Sequence, residues 1–221
     1  MDRSAWIKKQ RREAEEKYDT LWAPQYGEKW GLYANTTHQQ FIQKFLGLLS
    51  SHSTILDAAC GAGRYMPMLL EKGHTVIGMD QSQGMLSRVR ERFPNVQVEK
   101  VGLQEISHQE EFDGAICMDA MEHVSPEDWK LVLGNFYQAL KPKGYLYFTV
   151  EIEDEKEIEA AFKRGQQVGI PIIYGEIPEE DGVYHYYPPL PQVRAWLDEA
   201  GFHPIEEAFG DLYQHILVQK K

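Results

Sequence analysis

Two glycines and a carboxylate in the first half of the chain have the spacing of a nucleoside-binding pocket. Gly61 and Gly63 follow an apolar run at residues 55–59, and Asp80 ends a second apolar run 19 residues after Gly61. Glycines let a ligand approach the backbone because no Cβ stands in the way. A carboxylate at this distance on the next strand is typical of residues that bind ribose hydroxyls. Its alternative role, capping the next helix, is already supplied by Ser82.

The same glycines do not complete either of two common phosphate-binding motifs. The dinucleotide fingerprint G-x-G-x-x-G needs a third glycine at the position of Met66, because a pyrophosphate requires close approach of helix and strand. A Walker loop needs Gly-Lys-Ser/Thr after the first glycines, and that sequence does not follow here. The pattern therefore disfavours a nicotinamide-dependent oxidoreductase and favours a nucleoside without a pyrophosphate.

The elements that would position these residues alternate between strand and helix. We expect short apolar strands at residues 55–59, 75–79, 96–101, 113–118 and 145–150. Gly73 suits a left-handed helix cap between the first two strands, and Ser125 followed by Pro126 is typical of a helix start. Such alternation predicts an α/β fold: a doubly wound, mostly parallel sheet with helices on both faces.

The segments outside this alternation predict a helical N-terminal cap and a late insertion. In the cap, residues 1–50, a charged helix extends to about Trp22, and Thr36 is expected to start a second helix as its N-cap, with Gln39 completing a capping box. Residues 51–221 form the Rossmann-like domain, with residues 151–190 as a substrate-side insertion. The last two strands are joined by only Gly210-Asp211, so they must run antiparallel.

Charge and composition restrict the kinds of molecule that the protein is expected to bind. The chain has 34 acidic and 23 basic residues and a formal net charge of −11, which disfavours a nucleic-acid substrate. It has neither an apolar run long enough for a membrane helix nor the apolar core of a secretory signal at its start. Cys60 and Cys117 have the character of small core residues in a reducing compartment. We expect a cytoplasmic protein that acts on a small molecule; its oligomeric state is not encoded in any pattern.

Several segments match the motifs of one enzyme family. They are residues 57–63 (Asp-Ala-Ala-Cys-Gly-Ala-Gly), 76–82, 112–115, 122–124, 140–144 and 197–202. These segments resemble class I S-adenosylmethionine-dependent methyltransferases of the small-molecule type, over roughly residues 40–150 and again near the C-terminus. The resemblance implies S-adenosylmethionine as the cofactor and a seven-stranded sheet whose last strand is antiparallel.

The resemblance also implies which residues bind the cofactor. They are Asp57, Ala59, Gly61, Gly63, Asp80, Gln81, Met85, Leu103, Gln104, Met118 and Asp119. The family often has an acidic residue after the third strand to accept from the adenine amino group. Here Gln104 lies in that region, so the contact is expected from its amide or from backbone.

The residues expected to face the methyl acceptor form a less specific pattern than those expected to bind the cofactor. His123 and Glu151 are the candidate catalytic residues, each as a base if the acceptor is protonated. Aromatic residues that could face the acceptor or the sulfonium are Tyr26, Trp30, Tyr33, Tyr184, His185 and Tyr186. We expect the loops at residues 26–33 and 174–187 to close over the acceptor, although simple packing of these rings is an alternative. His and acidic residues have no metal-ligand spacing, so no metal is expected.

Two functions are therefore open beside the nicotinamide oxidoreductase that Met66 disfavours. The first is methyl transfer from S-adenosylmethionine to an oxygen or nitrogen nucleophile on a small molecule. The alternative is a non-catalytic nucleoside-binding or regulatory protein with the same fold, because a fold alone does not establish an activity.

Overall fold

The structure is a computed structural model that describes residues 2–29, 35–178 and 183–221. The strands are β1 (Thr54–Ala58), β2 (Thr75–Asp80), β3 (Gln97–Lys100), β4 (Phe112–Cys117), β5 (Leu140–Glu151), β6 (Glu176–Pro178), β7 (Tyr184–Tyr186), β8 (Phe202–Gly210) and β9 (Tyr213–Lys220). The helices are α1 (Arg3–Lys17), α2 (Tyr26–Lys29), α3 (Thr36–Leu48), α4 (Met66–Glu71), α5 (Gln83–Arg92), α6 (Trp129–Ala139), α7 (Glu155–Gln167) and α8 (Leu190–Ala200).

Within these described ranges, seven strands form one sheet in the order β3-β2-β1-β4-β5-β9-β8. Strands β1 to β5 pair in parallel, whereas β9 runs antiparallel to both β5 and β8. This confirms the doubly wound, mostly parallel sheet with an antiparallel last strand. The strand order reverses at β1, and ligands in such sheets bind beyond the carboxyl ends of the strands at that point. Strands β6 and β7 form a separate antiparallel pair within residues 151–190, the segment expected to be an insertion.

Both faces of the sheet are covered, which explains the continuous apolar runs in the sequence. Neighbouring residues Ile55 and Leu56 are both fully buried but belong to opposite hydrophobic clusters. One cluster joins the sheet to α6 and α8, and the other joins it to α3, α4 and α5. A parallel strand buried on both sides needs apolar residues at successive positions rather than at alternate ones. The cores on the two faces therefore fix the strand ends from which the site is built.

Two helix starts differ from those expected. Helix α3 begins at Thr36, but its N-cap is Asn35, whose side chain accepts from His38 N at 2.9 Å. Asparagine is as good an N-cap as serine, so the preceding residue takes the role expected of Thr36 and Gln39. Ser125 does not cap α6, which starts four residues later, at Trp129. Serine followed by proline also favours a β-turn, and here the Asp128 N–H closes such a turn on the Ser125 carbonyl at 2.9 Å.

Two turns also differ. The fifth strand, expected at residues 145–150, begins five residues earlier, because β5 already pairs with β4 at Leu140 and then shifts register. The hairpin between β8 and β9 turns at Asp211 and Leu212, one residue later than expected, with φ of 54° and 71°. Two successive left-handed residues match the twist of the two strands in a tight hairpin. The antiparallel pairing deduced from the short connection is unaffected.

Candidate active site

A cavity of about 470 Å³ lies beyond the carboxyl ends of β1, β2 and β4, at the place where the strand order reverses. Its size falls within the range of small-molecule sites. Helix α1 lies across it and contributes Ile7, Gln10, Arg11 and Ala14 to its wall.

Most of the residues expected at the site line this cavity. From the cofactor set these are Asp57, Ala59, Gly61, Asp80, Gln81, Met85, Leu103, Gln104, Met118 and Asp119. From the catalytic and acceptor sets they are His123, Glu151, Tyr26, Tyr184 and His185. Gly63 and Tyr186 lie outside the lining, Tyr186 within the main hydrophobic core. Trp30 and Tyr33 lie outside the described residues.

The turn after β1 has a backbone conformation that places its N–H groups toward β2. Ala59 and Gly61 have φ of 53° and 52°, in the left-handed region that favours glycine. The Cys60 N–H donates to the Met79 carbonyl at 2.9 Å, and the Gly61 N–H donates to Asp80 Oδ2 at 2.8 Å. These two bonds fasten the glycine turn to the end of β2. The chain thus brings Gly61 and the distant Asp80 carboxylate into direct contact.

Asp80 is held by backbone donors on both oxygens. Oδ2 accepts from Gly61 and Oδ1 accepts from the Ser82 N–H at 2.8 Å. Burial raises the pKa of Asp80 to about 6, against the lowering effect of these two hydrogen bonds. Ser82, not Asp80, caps α5, because its Oγ accepts from Met85 N at 3.1 Å. Each Asp80 oxygen keeps a further acceptor site for a ligand hydroxyl.

Asp57 is a buried carboxyl at the end of β1 with an unused acceptor. It is 2% exposed, and its Oδ2 has no hydrogen-bond partner among the described residues. Burial, together with the charge of Asp80, raises the pKa of Asp57 to about 8. A buried carboxyl in this state is costly unless a donor reaches it. A ligand N–H or ammonium group would supply that donor.

Asp119 faces a network that the sequence did not reveal. Its Oδ1 is 2.6 Å from His38 Nε2 on α3, and its Oδ2 accepts from Arg64 Nη1 at 3.2 Å and Tyr65 OH at 3.1 Å. Burial opposes the charged form, yet the His38 hydrogen bond and the Arg64 charge hold the pKa of Asp119 below its usual range. Arg64 in turn donates to the Tyr26 hydroxyl at 3.1 Å. The carboxylate therefore positions the groups that surround the glycine turn.

His123 also lines the cavity, and its hydrogen-bond partners fix its tautomer. Its Nδ1 is 3.0 Å from the Tyr184 carbonyl, which only accepts, so Nδ1 carries the proton. Its Nε2 is 3.2 Å from the Tyr18 hydroxyl, which therefore donates to it. His185 stacks on the ring at 4.7 Å, and burial together with His123 lowers the pKa of His185 to about 3. The result is a basic nitrogen among neutral rings.

Helix α1 closes the cavity through polar contacts with several elements. Arg3 pairs with the buried Glu176 at 2.6 Å, and Arg11 pairs with Glu105 at 2.7 Å. The rings of Trp6 and Tyr184 meet edge to face, with their centroids 5.7 Å apart. Helix α1 thus contacts the β6–β7 pair through Glu176 and Tyr184.

Neither a metal-binding cluster nor a membrane-spanning helix is found in the described part of the chain. Residues 2–29, 35–178 and 183–221 contain no group of three or more His, Cys, Asp or Glu side chains placed to hold a metal ion. None of the helices described there is long and apolar enough to cross a membrane.

Comparison with known proteins gives consistent matches. A family model described as a methyltransferase domain matches residues 55–144. A ubiquinone biosynthesis O-methyltransferase from Hydrogenovibrio crunogenus is 29% identical over 155 residues, covering 66% of this chain and 62% of that protein. The chain thus spans less than two thirds of that relative's length.

Solved structures share the fold at lower identity. The magnesium protoporphyrin IX methyltransferase of Synechocystis PCC 6803, with bound SAH, has a TM-score of 0.71 at 15% identity and covers 96% of this chain and 100% of its own. The Burkholderia thailandensis 1,6-didemethyltoxoflavin-N1-methyltransferase, with bound 1,6-didemethyltoxoflavin and S-adenosylhomocysteine, has a TM-score of 0.64 at 19% identity. That match covers 84% of this chain and 77% of the other. Residues 55–144 thus match a methyltransferase domain, and the seven-stranded sheet has the fold of the class I S-adenosylmethionine-dependent methyltransferases in these structures.

Proposed function

We propose that the protein transfers a methyl group from S-adenosylmethionine to an oxygen or nitrogen nucleophile on a small molecule. This proposal rests on the hydrogen bond from the Gly61 N–H to Asp80, which holds the glycine turn and the carboxylate together in one cavity. That contact places a carboxylate for ribose hydroxyls beside a backbone that a ligand can approach closely. The names of the relatives, which include a quinone-pathway, a porphyrin and a toxoflavin methyltransferase, support a small acceptor.

The donors and acceptors that line the cavity fit this cofactor. Asp80 would hold the ribose, and the unpartnered oxygen of Asp57 would accept from the amino group of the methionine part. Gln104 donates its amide nitrogen to Asp128 at 3.2 Å, which leaves its side-chain oxygen to accept from the adenine amino group. Asn135 fixes this loop by donating to the carbonyls of Leu103 and Gln104, at 3.0 Å each. The chain thus offers acceptors to the ribose hydroxyls, to the amino group of the methionine part and to the adenine amino group.

When bound, the cofactor supplies a methyl group that is already activated by the positive sulfur. The protein then has to align the acceptor, exclude water and, for a protonated acceptor, remove a proton. Helix α1 and the insertion would exclude water by meeting above the cavity, and His123 Nε2 would take the proton. We place this activity in the reducing cytoplasm, because Cys60 and Cys117 are buried free thiols. The net charge of −11 supports an acceptor other than a nucleic acid.

The direct test is a screen of small-molecule acceptors with methyl-labelled S-adenosylmethionine. We expect labelled product with at least one phenol, catechol or amine, and equal formation of S-adenosylhomocysteine. Boiled protein and the Gly61→Val variant serve as controls for chemical methylation. Tight binding of S-adenosylmethionine without turnover on any acceptor would instead favour the non-catalytic nucleoside-binding protein.

Removal of the Asp80 carboxylate should weaken the cofactor and its demethylated product equally. Asp80→Ala loses a charge-assisted contact that is the same in the ground and transition states, so we expect a loss of about 2–3 kcal/mol in binding. Calorimetry with S-adenosylhomocysteine measures this directly. Asp113→Ala is a matched control, because Asp113 lies outside the cavity lining and pairs with Lys141. Wild-type affinity in Asp80→Ala would remove Asp80 from the site.

A further inference from the structure

Asp128 is the residue directly before α6, and its carboxylate does not cap that helix. It stands in the N-cap position, yet among the described residues its side chain accepts from no N–H group of the first turn. Aspartate is a preferred N-cap residue because its side-chain oxygen usually accepts from one of those groups. Asp154, the N-cap of α7, does so, since it accepts from Lys156 N at 2.9 Å. The Asp128 carboxylate therefore has a different use.

The Asp128 carboxylate contacts the side chain of Gln104. Gln104 Nε2 donates to Asp128 Oδ2 at 3.2 Å. A carboxylate only accepts hydrogen bonds, whereas an amide has one donating end and one accepting end. The amide nitrogen must therefore face Asp128, and the amide oxygen must face away from it. Asp128 thus determines which end of its amide Gln104 presents to the other side.

Helix α6 also holds the backbone of Gln104. Asn135 Nδ2 donates to the carbonyls of Leu103 and Gln104, at 3.0 Å each. Asn135 comes about two helical turns after Asp128, so the two residues lie on the same side of the helix. The main chain and the side chain of Gln104 are therefore both fastened to one helix.

Gln104 lies beside the strand end that would hold the ribose. Strand β3 pairs in parallel with β2 as far as Asp80, and the Val101 N–H donates to the Asp80 carbonyl at 3.1 Å. Gln104 follows in the 3₁₀ turn Leu103–Glu105 and lines the same cavity as Asp80. Adjacent strands are about 4.8 Å apart. A purine attached to a ribose at Asp80 can therefore reach this turn.

We propose that Asp128 is a positioning residue that makes the cofactor site selective for adenine. It holds the Gln104 amide with its oxygen toward the cavity, where that oxygen accepts from the exocyclic amino group of the base. Asp128 lies outside the cavity lining, so it acts on the base only through Gln104. This inference rests on the proposed contact between Gln104 and the adenine.

The selection is between an amino group and a carbonyl at the same position of a purine. Hypoxanthine has a carbonyl oxygen where adenine has its amino group, so two acceptors would face each other at Gln104. An unmatched buried polar group of this kind weakens binding by about tenfold or more. Rotation of the amide would match the carbonyl but would turn the amide oxygen toward Asp128, which also only accepts. Asp128 therefore prevents Gln104 from adapting to the other base.

The test compares S-adenosylhomocysteine with S-inosylhomocysteine, which has the carbonyl. Calorimetry gives the affinity for each compound, and the ratio of the two affinities measures the selectivity. We expect the wild-type protein to bind the adenosine compound at least about tenfold more tightly. In Asp128→Asn the new amide can either accept from Gln104 or donate to it, so the ratio should fall by about fivefold or more. Asp154→Asn, which changes an N-cap aspartate outside the cavity lining, is the matched control and should leave the ratio unchanged.

An exchange of the two groups distinguishes positioning from structural support. In the double variant Gln104→Glu/Asp128→Asn, the asparagine amide donates to a carboxylate, which again places an acceptor toward the cavity. The ratio should return to within about twofold of the wild-type value. Loss of a merely structural contact would instead weaken both compounds alike, and the exchange would not restore the ratio.

The outcomes separate this inference from the proposed function. Equal affinities in the wild-type protein, a ratio that falls by less than about fivefold in Asp128→Asn, or a double variant that fails to restore it overturns the role of Asp128. If Gln104→Ala lowers the ratio while Asp128→Asn does not, the adenine contact stands and only the role of Asp128 falls. Failure to bind S-adenosylhomocysteine at all overturns the proposed function. If Asp128→Asn does not fold, as judged by its melting curve, Asp128→Ser serves for the same test, because serine both donates and accepts.

Discussion

Gly61→Val should abolish measurable binding of S-adenosylhomocysteine while leaving a folded protein. Gly61 has a φ of +52°, where a β-branched side chain is strained by about 1–3 kcal/mol. A Cβ at this position would lie 3.5 Å from the Tyr26 hydroxyl, inside the cavity, so valine methyls would occupy ligand space. The Gly61 N–H also donates to Asp80, so any backbone shift misplaces the carboxylate that we propose binds the ribose.

Gly63→Val provides the contrast. Gly63 also has a positive φ, of 74°, but a Cβ there would lie 2.8 Å from Met66 Sδ and 3.1 Å from the Phe93 ring. These atoms belong to the packing between the turn, α4 and α5, so we expect a loss of about 2–4 kcal/mol in stability. Melting curves and calorimetry on both variants distinguish the two effects. Wild-type affinity in Gly61→Val would place the nucleoside elsewhere in the chain.

This pair of glycines shows what a local sequence pattern can predict and what it cannot. The sequence predicted that both glycines bind the cofactor, because the motif is defined only by the spacing of its residues. Both glycines also adopt a left-handed backbone conformation. Which side of the turn faces the ligand depends on where α4 and α5 pack, and that is a tertiary property. The structure separates them: Gly61 lines the cavity and Gly63 packs on Met66.

The sheet itself could be predicted because its signals are local and mutually consistent. Apolar runs of strand length, helix caps such as Ser82 and a short final connection all favour one topology. Where the sequence offers two possible helix caps or turns, the choice between them depends on tertiary contacts that a sequence pattern does not contain. Asn35 and Thr36 are both good N-caps, and Ser125 with Pro126 suits either a helix start or a turn.

The polar network around Asp119 could not be predicted, since its members are far apart in the chain. His38 and Arg64 lie 81 and 55 residues away from Asp119, on α3 and after the glycine turn. Each residue type has many ordinary roles, and nothing in the spacing joins them. The buried Oε2 of Glu122, which has no hydrogen-bond partner among the described residues, could not be predicted either. Burial without a partner becomes visible only when the surrounding helices and strands are known.

His123→Ala should lower kcat by about 10²–10⁴-fold if His123 is the base, with little change in affinity for S-adenosylhomocysteine. The geometry gives the reason: Nδ1 is committed to the Tyr184 carbonyl, so Nε2 is the basic atom, and it lies in the cavity beside Tyr18. The measurement is steady-state turnover with the acceptor identified by the screen, alongside calorimetry. Both are needed because a loss of turnover alone could arise from a loosened site.

A structural role for His123 predicts a different pattern, and two further experiments separate the roles. His123→Asn retains a side-chain N–H near the position of Nδ1, so it should keep the bond to the Tyr184 carbonyl and a normal melting curve while still losing turnover. Added imidazole should partly restore turnover in His123→Ala, because it replaces the missing base in the space left by the ring. Full activity in His123→Asn would show that the hydrogen bond to the insertion matters and the basic nitrogen does not. In that case proton removal would pass to Glu151, the other base candidate that lines the cavity.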